Sequence, residues 1–164
     1  MTFFKSSSIA FFSAACLAAG FGLAHAASPN IDVSNAWVRS TVPGQKGTGA
    51  FMKITAKDGA KLVSVSSPVA GVGEVHEMKM DGDVMKMRAV PLLDLPAGKA
   101  VELKPGGFHV MLMDLKQALP KDSKIPLKLV FKDAKGVESS MELSVPVSAA
   151  APTGMSSKAA DHKH

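Results

Sequence analysis

From residue 30 onward the chain breaks into short apolar and β-branched runs, each closed by a turn signal. The runs are "NIDVSNAWVRS" (30–40), "GAFMKITA" (49–56), "AKLVSVSSPV" (60–69), "GEVHEMKM" (73–80), "DVMKMRAV" (83–90), "KAVELK" (99–104), "GFHVMLMDL" (107–115), "IPLKLVFKD" (125–133) and "VESSMELSVPV" (137–147). Pro43-Gly44, Asp58-Gly59, Asp81-Gly82, Pro105-Gly106-Gly107 and Lys135-Gly136 punctuate them. Only "DLKQALP" (114–120) offers a helical turn. Short strands at close, regular spacing predict an all-β domain, an antiparallel sandwich or barrel.

Two of these runs carry unusual chemistry. In "GFHVMLM" (107–113), Phe108, Val110 and Leu112 alternate with His109, Met111 and Met113. Strand side chains alternate faces with a period of two. One face therefore supplies the core, and the other carries an imidazole and two thioethers. In "VHEMKMDGDVMKM" (75–87), Asp81-Gly82 between alternating runs predicts a two-residue type I′ hairpin. That register sets Met80 opposite Asp83, Met78 opposite Met85, and His76 opposite Met87. Opposed residues share a face, so His76, Met78, Met85 and Met87 form one patch. Glu77 falls opposite Lys86 on the other face. Methionine is an adaptable core filler, which is the reading expected for Met52 and Met141. For residues 107–113 that account fails in part, because the opposite face already supplies the core residues.

The ends of the chain read differently. "MTFFK", the apolar "IAFFSAACLAAGFGLA" and Ala24-His25-Ala26 predict a signal peptide over residues 1–26, cleaved after Ala26. A lipid anchor at Cys16 is disfavoured by Ser13, which stands where such sites usually want Leu. The expected domain is 27–148. "AAAPTGMSSKAADHKH" (149–164) has no apolar periodicity and is expected to be a flexible tail. Cleavage leaves no stable membrane insertion and removes the only cysteine, so the mature chain has no disulfide, thiol nucleophile or thiolate ligand.

The formal net charge is +5, but the lysines are scattered and the chain has one Trp and no Tyr. A nucleic-acid surface needs a basic stripe with stacking aromatics, so that class is set aside. No Ser-His-Asp arrangement or paired buried carboxylates can be placed, so no enzyme is expected. Ligand chemistry is more informative. Thioethers are soft, neutral donors that select Cu(I). Zinc sites use Cys, His and carboxylate, and a blue-copper site needs a Cys thiolate. Two imidazoles and two thioethers suit a site that holds Cu(I) and can release it.

His76, ten residues, Met87, twenty-one residues, then His109-x-Met111 resembles the H-x10-M-x21-H-x-M signature of the periplasmic PCuAC copper chaperones. "VHEMKMDGDVMKM", "LKPGGFHVMLM" and "NAWVRSTVPGQKGTGAFMKI" with Trp37 and Arg39 are similar to that family, over about residues 30–147. The resemblance implies a cupredoxin-like Greek-key β-sandwich that binds Cu(I) through His76, Met87, His109 and Met111. It also implies a monomeric periplasmic protein delivering copper to the CuA or related site of a cytochrome oxidase, alongside Sco-type thiol proteins. Copper storage or resistance without delivery is the alternative. Met78, Met80, Met85 and Met113 would then extend a sulfur-rich lining that excludes water and offers transient ligands during transfer, or simply pack. Met155, His162 and His164 would form a weak Cu(II) site in the tail, or a solvated terminus.

Overall fold

The computed structural model describes residues 30–152. The expected signal peptide with Cys16, and Met155, His162 and His164 of the tail, lie outside them. Ten strands follow one another: β1 (Ile31–Arg39), β2 (Gly47–Ala56), β3 (Ala60–Ser66), β4 (Val72–Asp81), β5 (Val84–Ala89), β6 (Leu93–Leu95), β7 (Ala100–Leu103), β8 (Phe108–Met113), β9 (Lys124–Asp133) and β10 (Glu138–Ser148). They are hydrogen-bonded in the order β5-β4-β8-β2-β1-β10-β9-β3-β6, with β7 also on β2. The fold is all-β and cupredoxin-like, as expected. Its one parallel pairing joins β1 to β10 through Val38–Val147 and Arg39–Ser148, and divides a front layer (β5, β4, β8, β2, β1) from a back layer (β10, β9, β3, β6).

Both layers feed one buried cluster. Ala50, Met52, Ile54, Val110 and Leu112 come from the front, and Leu62, Leu127, Leu129, Phe131 and Val145 from the back. Period-two alternation creates this arrangement. In β9 the pattern Ile125, Leu127, Leu129, Phe131 turns inward, while Lys124, Pro126 and Lys128 remain exposed. Met52 is buried in the core and Met141 packs against it.

A β-bulge sets the outer face of the front layer. The β1–β2 register shifts between Ser34 and Trp37, where Asn35 stands at φ 55°. Such a bulge adds one unpaired residue and reverses the alternation after it. Ile31 and Val33 point to the core before the bulge, and Val38 after it. Trp37 is thereby turned onto the outer face, opposite Phe51.

One local expectation is corrected. Residues 114–120 form no helical turn. Their backbone groups bond elsewhere: Leu115 N–H to Lys46 O, Lys116 N–H to Val69 O, and Leu119 N–H to Thr41 Oγ1. Leu115 and Leu119 are buried as anchors of this irregular segment. The short strand β6 was not legible in the sequence, because three residues are too few for periodicity to emerge.

Candidate metal centre

The β4–β5 hairpin turns through Gly82-Asp83 rather than Asp81-Gly82. Asp81 pairs with Val84, Met80 with Met85, Met78 with Met87, and His76 with Ala89. Gly82 has φ 62° and Asp83 is outside the positive-φ region, which fits glycine at the first position of a type II′ turn rather than a type I′ pair. The register therefore differs by two residues from the expected one. Met87 faces Met78, not His76, and Glu77 faces Arg88, not Lys86. A shift of two preserves parity, so His76, Met78, Met80, Met85 and Met87 still share one face.

Strand β8 lies on the other side of β4. Here His76 is directly opposite His109, Glu74 opposite Met111, and Val72 opposite Met113. The two imidazole rings have centroids 6.1 Å apart at an interplanar angle of 62°. A bond from a first-row metal to an imidazole nitrogen is about 2 Å, so one ion between the rings can span a separation of this size. Along the strands, Met111 follows His109 on one side of the pair. Met78 and Met87 lie on the other side, towards the hairpin tip. The four residues singled out in the sequence thus share one face, although only the histidines are directly opposed.

Hydrogen bonding leaves one lone pair free on each ring. His109 Nδ1–H donates to Gly107 O at 3.0 Å. His76 Nε2–H donates to Glu74 Oε2 at 2.9 Å. In the neutral imidazoles, His109 Nε2 and His76 Nδ1 then remain as acceptors. His76 Nδ1 is buried and has no hydrogen-bond partner. Buried polar atoms are normally paired, and a histidine whose other nitrogen is fixed by a carboxylate or carbonyl is the usual arrangement of a metal ligand.

The surroundings are asymmetric. On the β2 side, the Phe51 ring lies 6.5 Å from that of His109, and Trp37 stacks 4.6 Å from Phe51. The Arg39 guanidinium sits 5.7 Å from the Phe51 centroid. Trp37 and Phe51 are buried, as is His109 at 7% exposure. Gly49 makes room for Phe51: a Cβ there would come within 2.7 Å of the ring. Met111 ends over Gly47, with its methyl 3.8 Å from where a Cβ would stand. On the β5 side, Met80, Met85 and Met87 are about half exposed, at 56%, 47% and 50%. Water is thus excluded by the aromatic wall and not by these methionines, which corrects the expected role of Met80 and Met85. Among the described residues, no three His, Cys, Asp or Glu side chains converge; the donor set is imidazole plus thioether. Glu74 and Phe51 were missed in the sequence. Glu74 was legible, because it precedes His76 by two residues and so shares its face.

The family model described as "Putative lipoprotein LpqE-like" matches residues 31–147. The chain belongs to that family. It is 33% identical over 118 residues to "Putative lipoprotein Lxx21020" of Leifsonia xyli subsp. xyli, covering 71% of this chain and 69% of that protein. Among solved structures it is similar to CuI-DR1885 of Deinococcus radiodurans, at 28% identity and TM-score 0.56 over 76% of this chain and 83% of that one. It also shares its fold with the copper-bound PCuAC domain of PmoF2, at 23% identity and TM-score 0.57 over 74% and 96% of the two chains.

Proposed function

We propose that this LpqE-like protein is a copper(I) metallochaperone, which binds and hands on the ion without turnover. The observation that carries the reading is the opposed pair His76–His109. Each ring has one nitrogen fixed by a hydrogen bond, and His76 Nδ1 is buried without a partner. Met111 and Met87 flank the pair on the same face and supply soft, neutral donors. Such a set favours Cu(I) over Zn(II). Thioethers have three rotatable bonds, so Met111 can swing from above Gly47 towards the histidines. The copper-bound relatives of the same fold support the same cargo. A half-exposed Met87 suits release, since a partner's ligand can replace it from solvent.

The receiving site in this proposal is the CuA or related centre of a respiratory cytochrome oxidase, with Sco-type thiol proteins as co-workers. The protein acts as a monomer in the periplasm after cleavage at Ala26. No helix of the described residues is long and apolar enough to cross a membrane.

Competition with a chromogenic Cu(I) chelator tests the cargo. One tightly bound Cu(I) per chain and preference over Zn(II) are expected, and tight zinc binding with no Cu(I) binding overturns the reading. Incubation of the Cu(I)-loaded protein with an apo oxidase copper-site fragment tests delivery. Retention of the copper would favour storage instead.

A further inference from the structure

The hairpin that carries His76 continues past it as a ladder of thioethers. Met78 is directly opposite Met87, and one step nearer the tip Met80 is directly opposite Met85. Opposed residues have Cβ atoms about 4.5–5.5 Å apart, and successive rungs on one face are about 7 Å apart along the strand. The four methionine side chains thus start from the corners of a rectangle of about 5 by 7 Å on one face. Packing does not explain it. Strand β5 pairs only with β4, forms the edge of the sheet, and is exposed at every residue. Four clustered methionines add nothing to the buried core there, which contains none of them.

From His76 to the hairpin tip, charge is kept off this face; Glu74 shares it only on the far side of His76. Glu77, Lys79 and Asp81 alternate with the methionines of β4, and Lys86 and Arg88 with those of β5, so all five lie on the opposite face. There Lys86 Nζ donates to Asp81 Oδ2 at 2.6 Å. What remains is an uncharged, sulfur-only patch that is open to solvent at one end and abuts His76 at the other. Neutral thioethers bind soft monovalent ions, Cu(I) or Ag(I), and discriminate against hard or divalent ones.

We propose that Met78, Met80, Met85 and Met87 form a second, weaker soft-metal site, which takes up the ion at the hairpin tip and passes it to His76 and His109. The donor set is neutral throughout. As the ion moves inward, thioether bonds from Met78, Met80 and Met85 break and bonds to His76 Nδ1, His109 Nε2 and Met111 form, while Met87 is shared. Both nitrogens carry lone pairs already, so no proton is displaced and the ion keeps its oxidation state. The transfer step rests on the histidine site proposed above; the second site rests on the hairpin alone.

Silver(I) is a redox-inert probe for both. The full mature chain, labelled with 13C at the methionine methyls, is titrated with silver nitrate and followed by NMR. The first equivalent is expected to shift the Met87 and Met111 methyls, and the second to shift Met78, Met80 and Met85. Met155 reports any binding in the tail separately. In Met80→Leu/Met85→Leu the second event is lost and the first retained; Met→Leu nearly conserves volume, so the fold survives. In His76→Ala/His109→Ala the Met111 shift is lost and the shifts of Met78, Met80, Met85 and Met87 remain. Met80 and Met85 methyls that stay unmoved through the second equivalent overturn the ladder site. Loss of all methionine shifts in the histidine double variant overturns its independence from the histidine pair. Silver that never perturbs Met111 while shifting Met78, Met80, Met85 and Met87 overturns the histidine-centred site and leaves the ladder standing.

Discussion

Glu74 shows how much one side chain can decide. Its carboxylate fixes Nε2–H of His76 and so leaves Nδ1 as the free donor. Removing the partner that orients a ligating histidine typically costs about 10–100-fold in metal affinity. Glu74→Gln should therefore weaken Cu(I) binding by roughly that factor. Glu74 is an exposed residue outside the core, and surface substitutions usually change stability by no more than about 0.5 kcal/mol. Denaturant midpoints should barely move while the competition titration shifts. Parent-like affinity would mean that the carboxylate does not orient the ring. The sulfurs are tested in the same way. Met87→Leu and Met111→Leu delete a donor at a stability cost of less than about 1.5 kcal/mol, and both should weaken Cu(I) binding. Met52→Leu, in the buried core, and Met141→Leu, packed against it, should leave copper affinity unchanged. If all four variants bind as the parent does, Met87 and Met111 are not ligands.

At the scale of elements, the hairpin depends on one backbone angle. Gly82 stands at φ 62° with nothing within 4 Å of where a Cβ would stand, so a side chain there meets strain rather than a clash. The left-handed region costs a non-glycine residue about 1–2 kcal/mol. Gly82→Ala should loosen β5 selectively, because that strand has no second partner. Amide hydrogen exchange at Lys86 and Arg88, whose N–H groups face β4 in the ladder, should accelerate while β9 and β10 remain protected; unchanged protection across β5 would show that the turn does not hold the hairpin. The same hairpin marks the limit of what the sequence made legible. Nine of the ten strands announce themselves by alternation and turn residues. The hairpin face was legible too, since it depends only on parity. Its register was not, because Asp81-Gly82 and Gly82-Asp83 are both acceptable two-residue turns, and the choice depends on pairing with the neighbouring strand. The bulge at Asn35 was likewise hidden: Trp37 would point inward by unbroken alternation, and only the tertiary preference for Val38 in the core turns it outward.

Across the whole molecule, stability and cargo are segregated. The buried cluster between the two layers contains none of His76, Met87, His109 and Met111. Their face lies on the outside of the front layer, near its β5 edge. The apolar core therefore forms without metal, unlike the small domains in which metal binding is the folding free energy itself. A carrier benefits from this separation, because giving up the ion does not endanger the fold. The consequence is measurable. Ligand that binds only the native state stabilises it by RT ln(1 + [L]/Kd), about 4 kcal/mol when free ligand is a thousandfold above Kd. Cu(I) should raise the melting temperature of the parent as its free concentration rises, and should raise that of the His76→Ala/His109→Ala variant much less, through the weaker methionine ladder alone. A strong chelator should return the parent to its apo melting temperature with the far-ultraviolet β signature unchanged. Unfolding of the chelated protein at room temperature would instead mean that the metal, not the two-layer core, holds the sheets together.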